Sequence, residues 1–383
     1  MTLAERIERY VSGRNRPAAV VVDVGWVNGL AAIRSLGRAG APVVALDHRA
    51  GALGFRSRYA LPVRTPDPAA EEERFVELLA EIGDALDAPA PVFPTHDEPL
   101  NAVARARDRL GERYLYPFPP WERLARIQDK RRQLEAAQAA GVETPRTAHP
   151  ASAGEARAAA DELGYPVLVK PSSTEGFRGR FGRQAFRCEA GEEVERAFTD
   201  AAEFGPMVQE LVPGGDDALY TVGSYISEDG EPLGTFSGRK LRQTPPGVGT
   251  CRVGEALWDD EAVEAGLRLL QALEFHGLSQ VEFKRDARDG RLKLMEINPR
   301  LWQWHALAAA SGVDLPRIAY ADLVGDRPAP ASQNGRRRRW AITFVPGEPA
   351  AFLRPPYVEA VLARDDLKPA LAQAARLLRS VRR

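Results

Sequence analysis

Apolar positions along this chain change period several times, and the changes predict its elements. Residues 18–24, AVVVDVG, form a short apolar run between Pro17 and Gly25, the mark of a buried strand. The following GWVNGLAAIRSLGRAG places Leu30, Ile33 and Leu36 on one helical face, and PVVALD returns to strand. This strand–helix–strand opening implies a parallel sheet. Phe75, Leu79, Ile82 and Leu86 repeat at helical spacing over 70–87. A short strand follows at 91–94, then a helix with Thr95 or Asp97 near its cap. His96 and Asp97 fall just past a strand end, where α/β sheets keep their ligands, although helix capping and a surface histidine account for them more simply. The PFPP at 117–120 marks a boundary. WERLARIQDKRRQLEAAQAAG then reads as one helix, with Asp129-Lys130 inside it as an ordinary solvated pair.

Beyond residue 165 the period shortens to two. A strand at 166–169 ends in Lys170-Pro171, and the chain returns to strand at 184–187. The loop between holds Ser172, Ser173, Thr174, Gly176, Gly179 and Gly182, flanked by Arg178, Arg180 and Arg183. Glycines let backbone N–H groups approach an oxyanion, and hydroxyls and arginines add donors and charge. The lysine precedes the glycines and the loop joins strand to strand, so this is not a P-loop. It suits a flap that closes over phosphate, or a plain basic loop. PMVQELV at 206–212 is another strand, followed by PGGDD; its backbone can pair with an adenine edge, and an acid beyond it with ribose hydroxyls. ALYTVGSYI and GTFSGRKLRQTPP are strands carrying Arg239, Lys240 and Arg242, and Val263, Leu267, Leu270 and Leu273 line one side of a helix over 260–274. After residue 300, LWQWHALAAASGVDLPRIAYADLVG predicts two apolar helices; Trp302, Trp304 and His305 suit a substrate pocket as well as a core.

The most informative stretch is SQVEFKRDARDGRLKLMEINPR at 279–300, two strands joined at Asp289-Gly290. Glu282 and Glu296 sit mid-strand among apolar residues. Alternation sends Glu296 and Asn298 to one face, where Glu282 can meet them from the facing strand. Three oxygen ligands, two of them charged, match what Mg²⁺ bound to a nucleotide takes from a protein. A hairpin salt-bridged through Lys284 and Lys293 is the alternative.

Composition narrows the classes. Hydrophobic content of 44% and a net charge of −1 describe a globular chain with no dedicated nucleic-acid surface; the arginines at 336–339 and the basic LLRSVRR suit a domain junction or solvated edge. No apolar run is long enough for a membrane span, and the charged N-terminus lacks a secretory core, so no membrane partner and a cytoplasmic location are expected. Cys188 and Cys251 make neither a disulfide framework nor a metal quartet. The GxGxxG fingerprint of dinucleotide sites is absent. Of the 52 Lys and Arg residues only six are Lys: 130, 170, 240, 284, 293 and 368. A chain that otherwise uses Arg and keeps Lys at a few places suggests point contacts to phosphate there.

VKPSSTEGFRGRFG, QELVPGGDD, GRKLRQ and VEFKRDARDGRLKLMEINPR, in this order, resemble an ATP-grasp enzyme. The chain is most similar to the carboxylate–amine ligase branch, including D-alanine–D-alanine ligase, D-aspartate ligase and carbamoyl phosphate synthase-like domains. The resemblance implies an α/β fold: a Rossmann-like pre-ATP-grasp domain at 1–120 and a two-lobed α+β ATP-grasp domain at 121–330, with its small lobe at about 143–212. A C-terminal extension at 331–383 completes the chain. It implies ATP bound by Lys130, Lys170, Ser172, Ser173, Gly176, Gln209, Glu210, Leu211, Val212 and either Asp216 or Asp217. Two Mg²⁺ ions, for which Mn²⁺ could substitute, would sit on Glu282, Glu296 and Asn298, with Arg300, Lys240 and Arg239 as catalytic cations. The implied reaction activates a carboxylate as an acyl phosphate and joins it to an amine, with small molecules as partners and a homodimer as a compatible assembly. A kinase or a non-catalytic ATP-binding protein on the same fold is the alternative.

Overall fold

In the computed structural model, which describes residues 1–172, 176–245, 247, 249–333, 335–342 and 357–381, the chain builds three sheets. The first comprises β1 (Ala19–Val22), β2 (Val43–Asp47), β3 (Ala60–Arg64), β4 (Ala90–Pro94) and β5 (Tyr114–Leu115), in the order β3-β2-β1-β4-β5. All its pairings are parallel. β1, β2 and β4 are buried along their whole length, because helices cover both faces of a parallel sheet.

The second sheet is small and antiparallel. β6 (Thr147–Ala148), β7 (Val167–Lys170), β8 (Phe186–Cys188) and β9 (Met207–Glu210) lie in the order β6-β9-β7-β8. The glycine-rich segment joins β7 to β8 and contains a helical turn, Phe177–Phe181. Phe177 packs against Phe181, Phe186 and Phe204 with ring centroids 4.8, 5.7 and 5.2 Å away, so aromatic contacts anchor this turn to the small sheet.

The third and largest sheet runs β14-β13-β10-β11-β12-β16-β17. Its strands are β10 (Leu219–Ile226), β11 (Pro232–Thr244), β12 (Thr250–Ala256), β13 (Gly277–Arg285), β14 (Leu292–Asn298), β16 (Arg339–Ala341) and β17 (Tyr357–Glu359), with β15 (Ala331–Ser332) alongside β11. One face packs on the helix Asp260–Ala272 through Val222, Val281, Phe283 and Leu294. The other is filled at one end by Trp302 and Trp304, which join Val21 of β1 and Ile33 and Leu36 of the helix Val27–Arg38 in one core. Gly223 and Gly254 are where strands meet those indoles. A Cβ on Gly254 would lie 2.7 Å from the Trp304 ring, and one on Gly223 would overlap Trp302. The tryptophans are therefore core, at 2% and 1% exposure, and His305 beside them bonds the Asn28 carbonyl at 3.0 Å; these three residues do not line a substrate pocket.

Residues beyond 330 are built into the molecule. β16 and β17 extend the large sheet, and Asp366 is buried against the first unit. It accepts from Arg34 Nε at 3.0 Å, Ser57 Oγ at 2.8 Å and the Arg58 backbone N–H at 2.9 Å. The arginine run at 336–339 enters β16, where Arg339 pairs with Glu255 at 3.2 Å. No helix among the described residues is long and apolar enough to cross a membrane.

Two local features depart from the sequence reading. β12 carries no signal that sequence periodicity singled out. The helix expected after residue 120 is two helices, Trp121–Gln128 and Lys130–Ala139. Asp129 takes extended backbone at the break and caps the second helix, its side chain accepting from the Arg132 N–H at 3.0 Å. The break turns Lys130 inward, to 8% exposure, so it is no solvated surface residue.

Candidate functional site

The pleat of β13 and β14 builds the centre of the site. Glu282 pairs directly with Glu296, and Gln280 with Asn298. Uninterrupted alternation would put Leu292 and Leu294 on the same face as Glu296. A bulge between Glu282 and Phe283, which leaves Met295 over, changes the phase. Leu292, Leu294 and Ile297 then enter the core, while Glu296 and Asn298 share the opposite face with Glu282.

Register across the sheet decides which cations join them. The row Glu296–Glu282–Thr221–Gly238 lies on one face, so Lys240, two residues beyond Gly238, lies there too. Its Nζ sits 2.9 Å from Glu282 Oε1. Arg239 belongs to the neighbouring row, Phe283–Tyr220–Arg239–Glu255, on the other face. It pairs with Glu255 at 3.1 Å, so the structure does not bring Arg239 to the cluster.

Four cations and three carboxylates converge here. Lys130 arrives from its helix start, held by a bond from its N–H to the Ser172 carbonyl at 3.0 Å. Lys170 ends β7 and reaches Gln209 Oε1 at 3.2 Å. Arg300 donates to Asp97 through Nε at 2.6 Å and Nη2 at 3.0 Å, and to Asn298 Oδ1 at 3.4 Å. Asp97 comes from the N-terminal unit, so both units contribute. Sequence reasoning left Asp97 as a cap, because no local signal reports a partner 203 residues away. Gln280, which donates to Glu282 at 2.9 Å, was also missed, although it lies two residues from Glu282 on the same strand face.

The electrostatics carry the mark of a shared site. Burial, and then the neighbouring Glu296, raise the Glu282 carboxyl despite Lys240. Burial works against the charge of Glu296 too, but Lys130, Asn298, Lys170 and Lys240 more than offset it and hold that carboxyl below its usual range. Two acids side by side with opposed shifts are poised for a cation between them. Among the described residues no group of three or more His, Cys, Asp and Glu is arranged for a metal. Two carboxylates and one amide oxygen fit a hard ion that takes its remaining ligands from phosphate and water.

The remaining candidates divide into open and occupied groups. The Glu210 side chain is enclosed. Burial opposes its charge, yet the Arg146 N–H, Lys293 at 3.0 Å and Arg288 at 2.8 Å hold the carboxyl down at about 2. Only its backbone remains to read a base. Gln209 bonds Lys170 and Thr147, Leu211 is partly exposed, and Val212 is buried. Asp216 accepts from the Gln243 N–H at 2.9 Å, Gln243 Nε2 at 2.8 Å and the Gly247 N–H at 3.0 Å, which leaves the exposed Asp217 as the acid open to a ribose. Ser172 Oγ donates to the Phe204 carbonyl at 3.1 Å, and Gly176 is exposed at φ +73°. Ser173 lies outside the described residues. Lys293 pairs with Glu210 and Asp286, so the ion pairs expected of a plain hairpin exist, but they stand apart from Glu282 and Glu296. A separate cleft of about 820 Å³ borders Tyr225, His276 and Gly277, at the far end of β13 from Glu282.

Burial, then Lys130 nearby, push the Lys170 ammonium down to about 7 despite Glu296. A polyanion favours its charged form. Above neutrality, binding of ATP should therefore take up close to one proton, and affinity should weaken with rising pH by up to about tenfold per unit; below about pH 6 the uptake should vanish. Calorimetry in two buffers of different ionisation heat reads this directly. Lys170→Met should abolish the uptake and weaken ATP about 10- to 100-fold, for a charged contact of roughly 1.5–3 kcal/mol. Equal proton uptake by variant and parent would remove Lys170 from the site.

Comparison with known proteins bears on the fold and on one segment of the chain. Residues 129–208 match the family described as carbamoyl-phosphate synthase L chain, ATP binding domain. D-aspartate ligase of Enterococcus faecium is 27% identical over 175 residues, 43% of this chain and 41% of the ligase. The chain thus spans less than half the length of the curated relatives it first matches. Among solved structures, the biotin carboxylase domain of Hydrogenobacter thermophilus 2-oxoglutarate carboxylase, in complex with MgADP, aligns with a TM-score of 0.65 at 20% identity, over 83% of this chain and 72% of that one. L-amino acid ligase from Bacillus licheniformis aligns at 0.61 and 16%, over 82% and 75%. At such identities the structural likeness speaks for the fold alone. Residues 129–208 thus resemble a carbamoyl-phosphate synthase ATP binding domain, in a chain whose fold is similar to that of the biotin carboxylase domain and the L-amino acid ligase.

Proposed function

We propose that this chain is an ATP- and Mg²⁺-dependent carboxylate–amine ligase acting on an amino acid or small peptide. The observation that carries the reading is the bulged hairpin that sets Glu282, Glu296 and Asn298 on one face beneath Lys130, Lys170, Lys240 and Arg300. The similarity to D-aspartate ligase and L-amino acid ligase supports the substrate class, and the MgADP complex of the Hydrogenobacter protein supports the cofactor.

Magnesium held by Glu282, Glu296 and Asn298 would supply charge neutralisation at the β- and γ-phosphates. Lys170 and Lys130 hold the polyphosphate, and the β9 backbone with Asp217 receives the nucleoside. Lys240 is kept charged by Glu282, which outweighs the effect of burial, so it offers a fixed positive charge to the leaving ADP oxygen. Arg300, rigid in its two-pronged contact with Asp97, faces the transferred group. The substrate carboxylate attacks the γ-phosphorus, ADP leaves, and an amine then displaces phosphate from the acyl phosphate. The protein orients and stabilises charge, as in other phosphoryl transfers.

The test is product analysis with an equimolar mixture of the twenty standard amino acids, D-alanine and D-aspartate. ADP, not AMP, should appear in proportion to new amide bonds, and hydroxylamine should divert the intermediate to hydroxamate. Release of AMP and pyrophosphate, or a stable phosphoester that hydroxylamine does not consume, would overturn the ligase reading.

A further inference from the structure

The N-terminal sheet reverses its strand order between β1 and β4, the position where open parallel sheets place ligands at their carboxyl ends. The residues at those ends form a polar cluster that the nucleotide site does not use. Asp23 follows β1 with φ +63°, a left-handed conformation that is uncommon for a non-glycine residue and gathers at functional sites. Its Oδ2 lies 3.0 Å from His96 Nδ1, just after β4, and its Oδ1 meets Arg49. Thr95 Oγ1, 3.1 Å from the same ring nitrogen, donates its own proton to the Asp23 carbonyl at 2.7 Å. Nδ1 thereby carries the N–H that Asp23 receives, which leaves Nε2 as the ring nitrogen open to a ligand.

The charge around His96 selects a ligand class. Arg49 is already held by Asp23 and by the buried Asp47, through Nε at 2.9 Å and Nη2 at 2.9 Å, and it lies over the half-exposed Trp26. The buried Asp47 and the partly exposed Asp23 thus hold one guanidinium, so the sheet's carboxyl edge at His96, where open parallel sheets form their crevice, carries a net negative charge. A cation such as an ammonium group is complementary to it. The crevice also adjoins the chemistry: Asp97, the next residue after His96, grips Arg300, which touches Asn298.

We propose that this crevice takes the amine substrate as its ammonium form, and that His96 is the base that frees it for attack. This rests on the ligase reading above. His96 Nε2 accepts one proton from the ammonium. The nitrogen lone pair then bonds to the carbonyl carbon of the acyl phosphate, the carbon–oxygen bond to phosphate breaks, and the departing phosphate takes the second nitrogen-bound proton. Asp23 is a positioning residue that fixes the ring and its tautomer.

Hydroxylamine separates the two halves of the reaction, because at neutral pH it is largely unprotonated and needs no base. With ATP, Mg²⁺ and the amino-acid mixture, His96→Ala should lower amide formation about 10²- to 10⁴-fold, the usual contribution of a general base. Hydroxamate formation in the same variant should fall less than about threefold, and added imidazole should restore amide formation. Asp23→Asn, which keeps the side-chain shape, should show the same split with a smaller loss. Equal losses in amide and hydroxamate, or no loss in either, would overturn the role of His96 while leaving the ligase reading intact. If the parent chain forms neither ADP nor hydroxamate with the mixture, the ligase reading falls and this inference falls with it.

Discussion

Glu296→Gln should cut ATP turnover at least about 100-fold while leaving the chain folded. Loss of a group that only supports a metal ligand typically costs about 10- to 100-fold, and a carboxylate that touches the ion should reach at least the upper end. Gln keeps the shape of the side chain on β14, so the pleat and the Ile297 backbone bond to Gln133 at 3.1 Å should survive. The substitution also has an opposite effect. Glu296 repels phosphate, and removing one charge at ~6 Å is worth about 0.7 kcal/mol in water-like surroundings, so metal-free ATP should bind roughly threefold more tightly. Tighter binding without Mg²⁺ together with lost turnover is a pair of results that unfolding cannot imitate. Near-parental turnover with unchanged Mg²⁺ dependence would remove Glu296 from the metal site.

Asp366→Ala should cost about 3–5 kcal/mol of stability, because it strands a buried guanidinium. Arg34 is 5% exposed and Asp366 2%, and burial already lowers the Arg34 pKa despite the partner. The alanine variant also orphans Ser57 Oγ and the Arg58 N–H. Replacing both partners with apolar residues, Arg34→Met with Asp366→Leu, should recover most of the loss, since no charge then remains to be solvated. Urea denaturation measures both. A single-variant loss below about 1 kcal/mol would mean that the C-terminal segment does not close the N-terminal unit as the geometry indicates.

What the sequence disclosed depended on the range of the interactions. The parallel sheet was legible at 18–47 because buried strands and an amphipathic helix are local patterns. The metal-site candidates were legible because two acids and an amide on a hairpin are brought together by its turn. What strict alternation does not predict is the bulge at Met295, which sends Leu292 and Leu294 to the core face opposite these residues. Arg239 shows the converse. Alternation alone forbids Arg239 and Lys240 from facing one site, so that residue was excludable without coordinates. The break at Asp129 was readable as a cap followed by a helix start, but continuous helical periodicity masked it. The contacts of Asp97 with Arg300 and of Asp23 with His96 join residues distant in the chain, and only the folded backbone reveals them.

The indoles packed on Gly223 and Gly254 also limit how the chain can drift. Any substitution at Gly223 adds a carbon where Trp302 already stands, and Trp302 is itself buried and stacked on Phe236. An acceptable replacement needs two coordinated changes, a smaller ring as well as the new side chain, and each alone passes through an overfilled or hollow core. The seam between the two units is thus inherited as a block, whereas the crevice rim at Trp26, half exposed beneath Arg49, is free to diversify toward new substrates.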